Sequence, residues 1–270
     1  MGERLGGLRF YLSLYRDFVT QYWKTRMASK IDFFFGLGAF LATQAGGILL
    51  LVFVFQSIPD LNGWTLYQVL FIYGFAQLPR GLDHIFTDYF WGFSEHVIIE
   101  GEYDRYLLRP VSPLFQVIAE VFQADGLGEL AVGVGMIALS LPHLAVSFSA
   151  LNVFLFVILV VAGAFIYSSI KLFFASLAFW LKDSFPLLQI AYNFADFAKY
   201  PDGIFFRPVS YFLAFALPFS FTAFIPASWF LGRGDWLWTI VGTLIAAAAT
   251  MCVAGFTWKA GQRRYESAGN

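Results

Sequence analysis

Residues 33–55 (FFFGLGAFLATQAGGILLLVFVF) run for 23 positions without one charged side chain. About 20 such residues, wound as a helix, cross about 30 Å of hydrocarbon. Residues 236–258 form a second uncharged run of the same length, bracketed by tryptophans of the kind that settle at a membrane interface. Composition rules out a soluble protein wrapped around such helices. Of the 270 residues 59% are hydrophobic and only 13% charged, and mean hydropathy is +0.67. A soluble domain carries about 25% charged residues. Too little polar surface exists here to face water, so the solvent for most of the chain is lipid and the expected fold is an all-α membrane protein.

The remaining spans follow from the same test. Residues 64–79 are apolar and read on as helix toward 93 through Arg80, Asp83, His84 and Asp88. Residues 114–141 are long enough but contain Glu120, Asp125 and Glu129. Residues 150–170 are uncharged, and the pattern continues past Lys171 to 181; a further stretch covers 185–197. Residues 204–231 are apolar but interrupted by Pro208, Pro218 and Pro226. Each proline removes a helix hydrogen bond and clashes with the preceding turn. Irregular backbone at membrane depth survives only inside protein or beside water. Two short re-entrant or interfacial helices before the last span are therefore expected, the alternative being one kinked span and seven crossings in all.

Basic residues choose between six and seven. With six spans and both termini cytoplasmic, 13 Lys and Arg lie inside, Arg80 among them, and Lys199, Arg207 and Arg233 lie outside. A seventh span would carry Lys259, Arg263 and Arg264 outside, against the positive-inside bias. The expectation is one domain, 1–270: an N-terminal amphipathic helix over 1–30, a six-span bundle over 31–258 and a cytoplasmic tail over 259–270. In the first segment Leu8, Leu12, Tyr15, Phe18 and Tyr22 share a helical face, with Arg9, Ser13, Arg16, Thr20 and Lys24 on the reverse. Such a helix lies flat among lipid headgroups. Residues 1–30 have no apolar core or cleavage site of a secretory signal.

Several chemistries have no footing. The net charge of −1 gives no case for nucleic acid. Cys252 is the only cysteine, so an intramolecular disulfide is impossible. The phosphate-binding pattern G-x-x-x-x-G-K-[ST] is absent, as are H-E-x-x-H and G-x-S-x-G. His84, His96 and His143 show no metal-ligand spacing. The expected work is movement of a solute, with no catalytic residue and no bound cofactor or metal in this chain.

The most polar segment between two long apolar ones is 97–113, VIIEGEYDRYLLRPVSP. Glu102, Asp104, Arg105 and Arg109 are interleaved with Tyr103, Tyr106, Leu107 and Leu108, and Pro110 and Pro113 end any helix there. An element of this kind either seats in a groove of a soluble partner or merely keeps a connector in the cytoplasm. The motif Gly101-Glu102-Tyr103-Asp104-Arg105-Tyr106-Leu107-Leu108-Arg109-Pro110, followed by Ser112-Pro113-Leu114-Phe115, resembles the permease subunits of type-2 ATP-binding-cassette (ABC) exporters, in particular a small six-span bacterial subfamily. Tyr200-Pro201, Ile204-Phe205, Pro218-Phe219 and Ile225-Pro226-Ala227 add to the likeness, as does the tail Gly261-Gln262-Arg263-Arg264-Tyr265-Glu266-Ser267-Ala268-Gly269. The resemblance implies a multi-pass protein of the bacterial inner membrane. It implies that Glu102–Arg109 is a coupling helix seated in an ATPase subunit, and that ATP and magnesium are bound by that partner. It further implies two ATPases and a second permease, identical or paralogous, per working unit, and outward transport. An ion-driven secondary transporter or channel, and a scaffold without transport, are the competing classes.

Charged residues in or beside spans are expensive, about 2.5–3.5 kcal/mol each at the bilayer centre. They are Glu120, Asp125, Glu129, Lys171 and Asp196. On a continuous helix Glu120 and Asp125 sit about 140° apart, whereas Glu129 shares the face of Asp125. Two roles are open: pairing between helices, for example Lys171 with one of the carboxylates or at a permease–permease interface, and a polar or proton-coupled path. The sequence does not name the cargo.

Overall fold

The computed structural model describes residues 7–28, 30–147 and 149–267; Leu5 of the expected N-terminal helix and Ala268 and Gly269 of the tail motif lie outside them. The regular structure among the described residues is helical, apart from one isolated bridge between Leu61 and Trp64. The main helices are α1 (Leu8–Ala28), α2 (Lys30–Ser57), α3 (Leu66–Thr87), α4 (Tyr103–Leu107), α5 (Pro113–Glu120), α6 (Asp125–Ser140), α7 (Ala150–Ser176), α8 (Phe185–Asn193), α9 (Phe224–Phe230) and α10 (Trp236–Arg264). Local chemistry starts the long ones. Ser149 Oγ accepts from the Asn152 amide (3.1 Å) ahead of α7, and Asp235 Oδ1 from the Trp238 amide (2.7 Å) ahead of α10. Gln68 Oε1 accepts from the Thr65 amide (3.1 Å) as α3 begins. Each satisfies a backbone N–H that a helix start leaves without a partner.

Among the described residues four helices are long and apolar enough to cross a membrane: Gly38–Ser57, Asp125–His143, Ala150–Leu181 and Trp236–Arg264. α3, at 22 residues, is about 33 Å long, but it carries Arg80 and Asp83 in its second half. It is the hub of the bundle, packed along α6 and α7, with Val69, Phe71, Ile72, Phe75 and Asp83 fully buried.

Glycine spacing sets the α3–α6 contact. Gly74 faces Gly133 and Gly81 faces Gly126, seven residues apart on each helix and in opposite order. A Cβ on Gly126 would stand 2.5 Å from the Gly81 carbonyl oxygen, and one on Gly133 2.8 Å from that of Gly74. The backbones touch directly, as small residues permit in lipid.

Several expected elements differ. The stretch 114–141 is not one helix: α5 ends at Glu120, and Val121 is extended (φ −130°, ψ 132°). Glu120 and Asp125 therefore belong to different helices, and their angular relation on a single helix does not apply. The break is covered by α1, where the Tyr22 hydroxyl donates to Gln123 Oε1 (3.0 Å) and Tyr11 meets the ring of Phe115 edge-on at 4.7 Å. Packing thus recruits Tyr11 as well as Tyr15 and Tyr22, while Leu12, expected on the same face, is 60% exposed. The helix expected to run from 64 to 93 stops at Thr87 and resumes as short pieces. The stretch 185–197 is α8 followed by a tighter 3-10 segment, Phe194–Lys199. The proline-rich stretch is broken into Arg207–Tyr211, Phe212–Ala216, Phe219–Thr222 and α9.

The molecule has two chemically distinct ends. At one, the Asn62 amide donates to the Gly203 carbonyl (2.8 Å), Arg233 lies over the Trp64 ring (4.3 Å) and Tyr67 stacks on His143 (3.6 Å). Both limbs of the 203–233 segment meet that end, while Thr222 packs inward against Gly163. At the other end an aromatic cluster joins Phe93, Tyr103, Tyr106, Phe179 and Trp258. α10, about 43 Å long, links the two.

Candidate functional site: a short exposed helix and a charged core

Of the expected helix 102–109 only Tyr103–Leu107 is helical (α4), entered through Gly101 at φ +73°, a left-handed position that favours glycine; Leu108 and Arg109 follow it as a bend. The i, i+3 spacing of Tyr103 and Tyr106 turns both rings inward, where they are fully buried. Tyr103 contacts Phe93, Phe179 and Trp258 and accepts a hydrogen bond from Gln262 Nε2 (2.7 Å). Burial pushes its phenol up to about 12, so it stays protonated at neutral pH. Asp104 Oδ2 accepts from Ser267 Oγ (2.5 Å), and Tyr265 meets the Tyr103 ring edge-on at 4.8 Å. The C-terminal tail is therefore strapped to α4.

The charged members of the motif mostly serve one another. Arg105 reaches Glu102 (3.3 Å), Glu120 (3.4 Å) and the Tyr106 hydroxyl (2.9 Å), and these contacts raise its already high pKa. Glu120, grouped by sequence with the intramembrane charges, belongs to this cluster instead. What α4 and the two residues after it present outward is Leu107 (52% exposed), Leu108 (85% exposed) and Arg109. The expected partner-contacting set, Glu102, Tyr103, Asp104, Arg105, Tyr106, Leu107, Leu108 and Arg109, thus divides into an inner anchor and a short outer face. Tyr103 and Tyr106 cannot touch a partner while buried.

The second site lies inside the bundle. Lys171 on α7 is fully buried and forms an ion pair with Asp83 (2.8 Å) and a longer one with Asp88 (3.5 Å), both from the α3 end of the chain. Its partners are thus carboxylates outside the set 120, 125, 129 and 196. Asp83 Oδ1 also accepts from Thr87 and Ser168, and Oδ2 from the Tyr192 hydroxyl (2.8 Å). The same hydroxyl lies 3.0 Å from His84 Nε2. His84 Nδ1 lies 3.0 Å from Glu129 Oε2, and Arg80 Nε lies 3.7 Å from Glu129 Oε1. Arg80 then pairs with Asp196 (2.6 Å), which also holds Lys199 (2.8 Å). A contiguous polar chain thus runs from Lys171 to Lys199 through groups on α3, α6, α7 and the 185–199 segment. Charges so placed are retained because each faces an opposite charge.

Along one side the chain borders a cavity of about 380 Å³, lined by Arg80, His84, Asp88, Asp125, Glu129 and Asp196 with the rings of Trp91, Tyr192 and Phe40. Asp125 sits there at the start of α6. Sequence reasoning flagged Asp125, Glu129, Lys171 and Asp196 but missed Asp83, His84 and Tyr192 as members. The signal for two of them was present: Arg80, Asp83, His84, Thr87 and Asp88 fall at i, i+3, i+4, i+7 and i+8, one stripe of a helix. Among the described residues no group of three or more His, Cys, Asp and Glu side chains has metal-holding geometry.

No curated protein matches the chain. The sequence profile of ABC-2 family transporter proteins matches residues 41–269, which takes in α4, the charged core and most of the tail. A match over this much of its length makes the chain a member of the ABC-2 transporter family.

Proposed function

We propose that this chain is the permease subunit of an ABC exporter, driven through α4 by a separate ATPase. Family membership supports a multi-pass membrane protein of a transporter that associates with an ATPase subunit. The observation that carries the finer reading is the division of α4. Its tyrosines are locked into the aromatic cluster that holds the ends of α7 and α10, and its leucines stand outside. A push on Leu107 and Leu108 is thereby delivered to two long helices at once. Exposed leucines beside Arg109 are the anchor-and-rim arrangement of a docking helix. ATP and magnesium belong to the partner, which draws together with its twin on binding nucleotide and moves α4.

The same reading takes the chain through the bilayer six times, with 203–233 as a re-entrant hairpin whose two limbs return to the Asn62–Trp64 end. The working unit pairs this permease with a second one and with two ATPases in the inner membrane, termini and α4 on the cytoplasmic side. The test is co-purification with the cognate ATPase. The double substitution Leu107→Asp and Leu108→Asp is expected to release the ATPase while the permease stays monodisperse in detergent. Full retention of the ATPase by that folded variant sinks the coupling role.

A further inference from the structure

We infer that the core binds a proton as a resident ligand, held on His84 against Glu129. The Tyr192 hydroxyl owns one hydrogen. That hydrogen is spent on Asp83 Oδ2 at 2.8 Å, because Asp83 is an anion facing Lys171. The contact at 3.0 Å between the same hydroxyl oxygen and His84 Nε2 then requires the hydrogen to come from the ring, so Nε2 is protonated. In a neutral imidazole the other nitrogen carries a bare lone pair. Nδ1 would hold that lone pair 3.0 Å from Glu129 Oε2.

Glu129 Oε2 is buried and receives no well-aligned hydrogen bond from any side chain. A buried carboxylate oxygen in that position is stable only beside positive charge. Arg80 stands 3.7 Å from the other oxygen and is engaged by Asp196. A second proton on His84 turns the repulsive contact into an imidazolium–carboxylate pair.

Charge balance points the same way. In the polar chain Arg80, Lys171 and Lys199 face Asp83, Asp88, Glu129 and Asp196. With a neutral His84 one negative charge is left over in the bundle; with an imidazolium the chain is neutral. The remaining nearby carboxylate, Asp125, lies in the first turn of α6, where the helix dipole favours negative charge. His84 and Glu129 both border the 380 Å³ cavity, which is the route by which the proton reaches and leaves its site. The inference holds whatever the cargo is and does not depend on the coupling role of α4.

The test is 15N NMR of histidine-labelled protein in detergent at neutral pH, with the His84 signal assigned by its loss in His84→Gln. Two protonated ring nitrogens are expected in the wild type. Glu129→Gln removes the leftover negative charge, and its amide supplies a hydrogen to Nδ1, so the imidazolium signal is expected to disappear and a ring protonated at Nε2 alone to replace it. A neutral His84 ring in the wild type overturns the proposal, and that measurement suffices even if Glu129→Gln fails to fold. An imidazolium that persists unchanged in Glu129→Gln overturns it as well.

Discussion

At the scale of single residues, the most consequential contact is Lys171 with Asp83, both side chains fully buried at an ion-pair distance of 2.8 Å. Removing one partner strands the other's charge, which typically costs about 3–5 kcal/mol, whereas replacing both is often nearly neutral. Lys171→Met is therefore expected to lower the thermal midpoint in detergent strongly. Adding Asp83→Asn is expected to recover most of the loss. If the two substitutions simply add, the pair is not coupled and the reading of the core fails. The sequence announced Lys171 as costly but did not name its partner. The apolar run ends at Pro79, so Arg80 counts with the cytoplasmic basic residues, while Asp83 and His84 fall on the helix that reads on toward 93. Their shared stripe was visible; that Lys171 faces it follows only from how α7 packs on α3.

At the scale of elements, two short-range patterns decide where the sites lie. Tyr103 and Tyr106 were legible as an i, i+3 pair, but only the aromatic pocket formed by residues far along the chain turns that face inward. The glycines of α3 and α6 were legible as seven-residue spacings on each helix, and their pairing was not. That pairing matters because it brings His84 within reach of Glu129. Gly126→Ala puts a methyl group 2.5 Å from the Gly81 carbonyl oxygen and 2.8 Å from Ile85 Cγ1. The helices must separate, at a cost of about 1–3 kcal/mol for an overpacked contact. The expected outcome is a lower thermal midpoint together with loss of the imidazolium signal of His84. Gly135→Ala on the same helix, which meets nothing within 4 Å, is expected to leave both unchanged. Equal effects from the two alanines would remove the helix contact as the cause. The break between α5 and α6 was not legible, since residues 121–124 are apolar enough to pass for helix; α1 folding over them permits the irregular backbone.

At the scale of the whole molecule, the question is which end faces the cytoplasm. Six spans put Arg80 inside and Lys199 outside, yet both pair with Asp196, at 2.6 and 2.8 Å. They sit at one depth in the core, and neither bears on orientation. Setting them aside leaves twelve basic residues that six spans count inside against two, Arg207 and Arg233, outside. The bias toward a cytoplasmic α4 therefore survives, and cysteine labelling reads it directly. In a Cys252→Ser background, Leu108→Cys reports from the exposed face of α4, and Ser57→Cys from the exposed C-terminal end of α2 near the opposite pole. In intact cells a membrane-impermeant maleimide is expected to label position 57 and to spare position 108. Opening the membrane should make position 108 reactive, and adding the ATPase should protect it again. Labelling of position 108 in intact cells would put α4 beyond the reach of any cytosolic motor. Reactivity that the ATPase leaves untouched would keep the orientation but remove Leu108 from the docking surface, so sidedness and coupling are separated by one pair of substitutions.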